Sequence, residues 1–175
     1  MAALTLRRYR EDDAERVREL HETAMRELEA FVDDLPDVDL NDVHGSYVEP
    51  GGEFLVGELD EVDGEIVAMG AFRPVEGYLT ELLSDLPEST AEVKRMRVDP
   101  AWQGQGFGGG MLTALEERAR ERGFTHLVLD TTAAMEAAQG LYESHGFELV
   151  RRVDVAFGGD ALEMLCYRKS LEEGG

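Results

Sequence analysis

Glu92-Val93-Lys94-Arg95-Met96-Arg97-Val98, then Asp99-Pro100-Ala101-Trp102, then Gln103-Gly104-Gln105-Gly106-Phe107-Gly108-Gly109-Gly110, and then an amphipathic run that stops at Gly123, decide how this chain is read. The order is strand, tight turn, glycine-rich loop and helix. Glycines at 104, 106, 108 and 109 lack the Cβ atoms that would keep backbone N–H groups from crowding inward. The loop opens onto a helix N-terminus, where unpaired N–H groups and the helix dipole favour an anion. The stretch reads as a phosphate-binding loop.

The owner of the phosphate follows by elimination. A nucleoside-triphosphate loop ends in Gly-Lys-Ser/Thr, with the lysine on the phosphates. No lysine lies between Lys94 and Lys169. The dinucleotide fingerprint matches the spacing of Gly104, Gly106 and Gly109, and Asp130 falls about 20 residues on. That fingerprint turns directly from strand into loop, yet five residues, Asp99 to Gln103, intervene here. It also belongs near the start of a long alternating domain, whereas this loop begins after residue 100 of 175.

Gln103-x-x-Gly106-x-Gly108, following Val98-Asp99-Pro100, resembles the acetyl-CoA pyrophosphate loop of the GNAT superfamily of N-acetyltransferases. Leu141-Tyr142-Glu143-Ser144-His145-Gly146-Phe147, about 35 residues on, is similar to that family's second signature, a helix ending in Leu-Tyr-x-x-x-Gly-Phe. The resemblance is specific from Glu92 to Phe147 and general elsewhere. It implies an α/β fold: a mixed, V-splayed sheet of about seven strands flanked by about four helices, as one domain over residues 1–175. It also implies acetyl transfer from acetyl-CoA to a primary amine within a ternary complex.

On that resemblance, Gly104, Gln105, Gly106, Gly108 and Gly109 hold the pyrophosphate and Gln103 closes the loop. The backbones of Met96 and Val98 face the pantetheine arm, with the Met96 N–H on the acetyl carbonyl, and Arg97 and Thr132 complete the cofactor-binding set. Glu92 is expected as the base that takes the amine proton. Tyr142 is expected to touch the cofactor and to protonate the departing thiolate. For Glu92 the alternative is a structural ion pair with Arg95 or Lys94. For Tyr142 it is a core aromatic whose hydroxyl merely binds the CoA sulfur. A non-catalytic acyl-CoA-binding sensor and a nucleotide-binding oxidoreductase are the rival readings of the chain as a whole.

Composition bounds the rest. At 175 residues the chain is long enough for one substantial core. Its net charge is −21, from 38 acidic and 17 basic residues, and just two of the basic residues are lysines. Such a surface reads as that of a cytoplasmic protein from a salt-loving organism, because molar salt shortens the Debye length to about 3 Å and screens the repulsion. The absence of a domain-wide basic face disfavours nucleic acid as a partner. No apolar run approaches the ~20 residues of a membrane span, and Met1 to Arg10 lacks the apolar core of a signal peptide. The one cysteine, Cys166, cannot form an intramolecular disulfide. His44, His126 and His145 show no metal-ligand spacing, so no metal is expected. The acceptor is left as a small-molecule or peptide amine, and a homodimer is possible.

The remaining elements follow from periodicity. A strand is expected at Leu4–Tyr9 and a helix from Glu11 to about Ala30, burying Ala14, Val17, Leu20, Ala24 and Leu28. Phe31–Tyr47 reads as a loop and a short helix. Two strands, Glu53–Leu59 and Glu65–Phe72, flank an Asp-Gly turn, the strongest short hairpin signal. Gly77–Thr90 is a short helix or loop. The strand Ala91–Val98 carries Glu92, Lys94, Arg95 and Arg97, unlike an interior parallel strand. It is expected to line a cleft, with a solvated edge as the alternative. A helix from Gly108 to Gly123, a strand at His126–Asp130, a helix capped by Thr131 or Thr132, and a closing hairpin of Glu148–Phe157 with Ala161–Arg168 complete the chain.

Overall fold

The computed structural model describes residues 4–27, 38–60, 65–133, 135–157 and 160–171. Seven strands form one mixed sheet: β1 (Leu4–Arg8), β2 (Glu53–Leu59), β3 (Ile66–Pro74), β4 (Thr90–Val98), β5 (His126–Thr132), β6 (Glu148–Phe157) and β7 (Asp160–Ser170). Their spatial order is β1-β2-β3-β4-β5-β7-β6. Every neighbouring pair is antiparallel except β4 with β5. The helices are α1 (Ala14–Glu27), α2 (Val38–Asn41), α3 (Tyr78–Leu82), α4 (Phe107–Glu121) and α5 (Glu136–Ser144), the second and third being about one turn long. The expected C-terminal end of the first helix (28–30), residues 31–37, the Asp-Gly turn and the Gly158-Gly159 turn lie outside the described residues.

The sheet alternates as a half-buried strand must. In β2, Leu55 joins Phe72, Val93 and the α4 residues Met111, Leu112 and Leu115 in one core. Its neighbours Phe54 and Val56 point to the opposite face, where Val17 and Leu20 of α1 pack with Leu40 and Val43. Helix α5 adds Tyr142 to the α4 face, and α3 closes the other face over Val128 and Cys166 through Leu79 and Leu83. The strand β4 is therefore central, and the solvated-edge alternative is overturned. Among the described residues no helix is long and apolar enough to cross a membrane.

A buried charge ties the first half together. The carboxylate of Glu53 has no exposed surface and accepts from Arg8 Nε at 2.5 Å and Arg122 Nη2 at 3.0 Å, with Arg118 at 3.4 Å. Burial alone would push this carboxyl up, but the guanidinium hydrogen bonds hold it below the usual carboxylate range. One acid thus locks β1, β2 and the end of α4 into register, which fixes where α4 begins.

Candidate active site

The parallel pairing of β4 with β5 is brief. Thr90, Ala91 and Glu92 face His126, Leu127 and Val128, and the register stops there. Beyond Glu92 the strands diverge, as the splayed sheet requires, and two adjoining cavities of about 290 and 370 Å³ fill the opening. Met96, Arg97, Met135 and Ala138 line both.

The loop residues border the first cavity. Asp99 accepts the Ala101 N–H at 2.9 Å, shaping the turn Pro100–Trp102, and Gln103 Nε2 donates to the Val98 carbonyl at 3.1 Å. Gln103 therefore ties the loop to the end of β4. Gly104 and Gly106 have φ of 82° and 83°, the left-handed region that glycine enters without penalty. Helix α4 already starts at Phe107, so Gly108 and Gly109 belong to its first turn. Their role is packing. A Cβ on Gly108 would sit 3.3 Å from Leu141 Cδ2, and one on Gly109 would sit 3.3 Å from His145 Nε2, so these glycines let α4 approach α5. No acidic residue occupies the first turn of α4, whose leading N–H groups have no intrahelical partners. Gly104, Gly106, Gly108, Gly109, Gln103, Val98, Met96 and Arg97 all line this cavity, whereas Gln105 is exposed and does not.

A bulge sets the second cavity. Opposite Gly70 of β3, strand β4 inserts an extra residue between Lys94 and Arg97. Arg95 takes φ 59°, the one left-handed non-glycine among the described residues. Gly70 is required here, because a Cβ would lie 2.8 Å from Met96 Sδ and from Met111 Cγ. The bulge resets the alternation. Met96 and Val98 turn to the α4 core. Arg95 turns toward α1 and α2, donating to Asp39 at 2.6 and 2.8 Å. His21 of α1 lies between Arg95 Nη1, at 3.2 Å, and Arg97 Nε, at 3.3 Å. His21 is buried at this interface between α1 and β4.

Glu92 is 7 % exposed and lines the second cavity. Burial pushes its carboxyl up to about 7, against the lowering effect of Lys94 and with a further lift from Asp130. The proposed ion pair with Arg95 does not form, since Asp39 holds that guanidinium, and Lys94 Nζ stands 3.8 Å from Glu92 Oε2. Tyr142 also lines this cavity and is 7 % exposed. Its phenol is pushed up to about 12, first by burial, with Arg97 opposing and Asp130 adding. The ring packs edge-on to Phe147 at 5.8 Å. The cleft thus brings together a carboxylate poised near neutrality, a phenol that stays protonated, and an electropositive helix start.

Thr132 borders the second cavity but caps no helix. It is the last residue of β5, paired with Met164, and α5 begins four residues later at Glu136 without a side-chain cap. Gln139 Nε2 instead donates back to the carbonyls of Thr132, at 3.1 Å, and Ala133, at 2.9 Å. Three residues of this neighbourhood escaped the sequence reading: Asp39, Asp130 and Arg73. Asp130 enters the sequence reading only through the spacing of the dinucleotide fingerprint that was set aside. The other two come from distant segments and carry no local signal.

Residues 14–147 match the family described as the acetyltransferase (GNAT) family. The chain is 32 % identical over 122 residues to the uncharacterized N-acetyltransferase YjgM of Escherichia coli (strain K12), covering 70 % of this chain and 65 % of that protein. It is 31 % identical over 121 residues to the human N-acetylaspartate synthetase, covering 69 % of this chain and 36 % of that protein. The chain therefore spans roughly two thirds of the first relative's length and about a third of the second's. Its fold is similar, at a TM-score of 0.78 and 24 % identity, to a putative acetyltransferase from Salmonella typhimurium solved with its cofactor acetyl-CoA, covering 98 % of this chain and 95 % of that one.

Proposed function

Because the chain belongs to the acetyltransferase (GNAT) family, we propose that it transfers an acetyl group from acetyl-CoA to a primary amine, by direct attack within a ternary complex. One observation carries the reading: the α4 start, the unpaired margin of β4, Glu92 and Tyr142 line two adjoining cavities that share Met96, Arg97, Met135 and Ala138. The glycine cradle fits a pyrophosphate, since Gly104 and Gly106 have open space where a side chain would stand. Acetyl-CoA supplies the thioester carbonyl that the amine attacks.

The chain's own residues divide the remaining work. The loop N–H groups hold the diphosphate, and the β4 backbone at Met96 and Val98 lines up the arm that follows it. Glu92 first takes one proton from the acceptor ammonium, directly or through water; the freed amine then attacks, the C–N bond forms, the C–S bond breaks and the second amine proton leaves to water. Tyr142 returns a proton to the leaving thiolate. A fixed N–H on the carbonyl oxygen, the role given to Met96, contributes on the order of 3 kcal/mol to such a barrier.

The test pairs binding with turnover. Calorimetry should show acetyl-CoA binding and no NAD binding, and free thiol should appear in the presence of suitable primary amines. Gly106→Val, which forces a β-branched residue to φ 83°, should weaken acetyl-CoA binding at least tenfold with the domain still folded. Acetyl-CoA binding without release of thiol for any amine would make the protein a sensor, and NAD binding would make it an oxidoreductase.

The same reading extends to the whole chain: one domain over residues 1–175, working in the cytoplasm of a salt-loving organism, on a small-molecule or peptide amine. Thirty-eight acids against two lysines support the salt-loving part. Raising KCl from low to molar levels should lift the melting temperature by roughly 5–10 °C, the shift that relieving a few kcal/mol of repulsion gives a chain of this size. A flat or falling series would remove that part of the reading.

A further inference from the structure

We infer that the second cavity selects an amine bearing its own carboxylate close by, a free α- or β-amino acid, with Lys94 receiving the acid group and Arg73, across the register from Glu92, adding its charge from outside the lining; this rests on the acetyltransferase reading of the same site. The two lysines of the chain have different fates. Lys169 is engaged by Glu116 and lies 5.8 Å over the Phe147 ring. Lys94 lines the cavity with its side chain 29 % exposed, and its recorded ion-pair partner is Glu92, at 3.8 Å. That separation is beyond hydrogen-bond reach. An ammonium with three donors and no hydrogen bond among the described residues faces the space where an acceptor must enter.

Arg73 stands on the other side of Glu92, directly across in the β3–β4 register. Among the described residues its buried Nε has no acceptor and its Nη1 reaches the Ser46 carbonyl at 3.4 Å. The guanidinium lies over the Tyr47 ring, 5.2 Å from its centre, which fixes its plane. Asp39 does not compete for these cations, because it is occupied by both arms of Arg95 and by the Tyr47 hydroxyl. The cavity is lined by a carboxylate pair, Glu92 and Asp130, that suits an ammonium, and by Lys94, which suits an acid, while Arg73 stands outside the lining as the register partner of Glu92.

The spacing chooses among amines. Lys94 Nζ and Glu92 Oε2 are neighbours at 3.8 Å, so the two charges of the acceptor must be separated by only one or two carbons. A long diamine or a peptide N-terminus would set a positive or neutral group against Lys94 and Arg73. At a net charge of −21 the surface as a whole repels anions, and a local pair of cations offsets that at the one place an acidic acceptor would need it.

The experiment compares kcat/KM for three acceptors at fixed ionic strength: a free amino acid, its carboxamide, and the matching amine without the acid group. Wild type should prefer the free amino acid over both by at least tenfold. Lys94→Gln should reduce that preference at least tenfold, and Lys94→Arg should keep it. A mere effect of Lys94 on Glu92 would move all three acceptors together. Equal or better turnover of the carboxamide and the bare amine by wild type overturns the inference and leaves the acetyltransferase reading standing. So does a preference that survives in Lys94→Gln. Acetyl-CoA binding with no turnover of any acceptor removes both. If a variant fails to fold, the wild-type panel alone still decides.

Discussion

Tyr142→Phe should lower kcat by roughly 10²–10⁴-fold, the usual worth of a positioned general acid, while acetyl-CoA affinity changes little. The substitution removes one oxygen and leaves the ring. That ring is held by Phe147 at 5.8 Å and Tyr167 at 6.2 Å, so the helix α5 that carries it keeps its seat. Burial pushes the phenol up to about 12, so it carries its proton across the neutral range and has one to give to a thiolate. Steady-state kinetics with a good acceptor, together with calorimetric binding of acetyl-CoA, separate the two quantities. Turnover equal to wild type would reduce Tyr142 to a packing residue.

Glu92→Gln should lose activity most severely at lower pH and recover as pH approaches the acceptor amine's own pKa. In wild type kcat/KM should climb through pH about 7, where Glu92 gives up its proton and becomes able to take one. The same shift has a stability consequence of definite sign. The carboxyl is raised from 4.5 to about 7 in the folded protein, chiefly by burial, so the folded state holds this proton more tightly than the unfolded chain. That contribution is fully present below about pH 4.5 and is lost as pH rises through 7. Above pH 7 wild type carries a buried charge that the glutamine lacks. The variant should therefore be more stable than wild type at pH 8, by at most about 3 kcal/mol, a margin that shrinks toward acid. Lost activity with gained stability is the mark of a group kept for chemistry. A variant less stable than wild type at pH 8, or one whose activity does not return at high pH, would make Glu92 a structural partner of Lys94.

What could be read from the chain was local. Gly104 and Gly106, the Gln103 that binds back to Val98, and the run from Leu141 to Phe147 announce themselves by spacing, and Gly104, Gly106, Leu141 and Tyr142 come together along the cavities. The charges of β4 were legible as a cleft lining because an interior strand has no other use for them. The bulge was not, because its cause sits on another strand. Strict alternation would pair Lys94 with Met96 on one face, and only Gly70, across the sheet, lets Met96 turn away. The helix cap failed for a related reason. Thr132 has a strand partner in Met164, and a ladder position outcompetes a cap. Asp39, Arg73 and Asp130 reach the site from an isolated helical turn, a neighbouring strand and the far arm of the sheet, so no window of sequence contains them together.

The short seam between β4 and β5 also places a sheet edge in the interior of the molecule. Edges with unpaired backbone groups are where a foreign polypeptide adds itself as one more strand, the first step of many aggregates. Past Glu92 this edge is bent by Arg95 and carries Lys94, Arg95 and Arg97 within four positions. A bend and closely set charges are two of the means by which sheets refuse an uninvited strand. The residues that open the cleft to a ligand therefore also guard it against another chain.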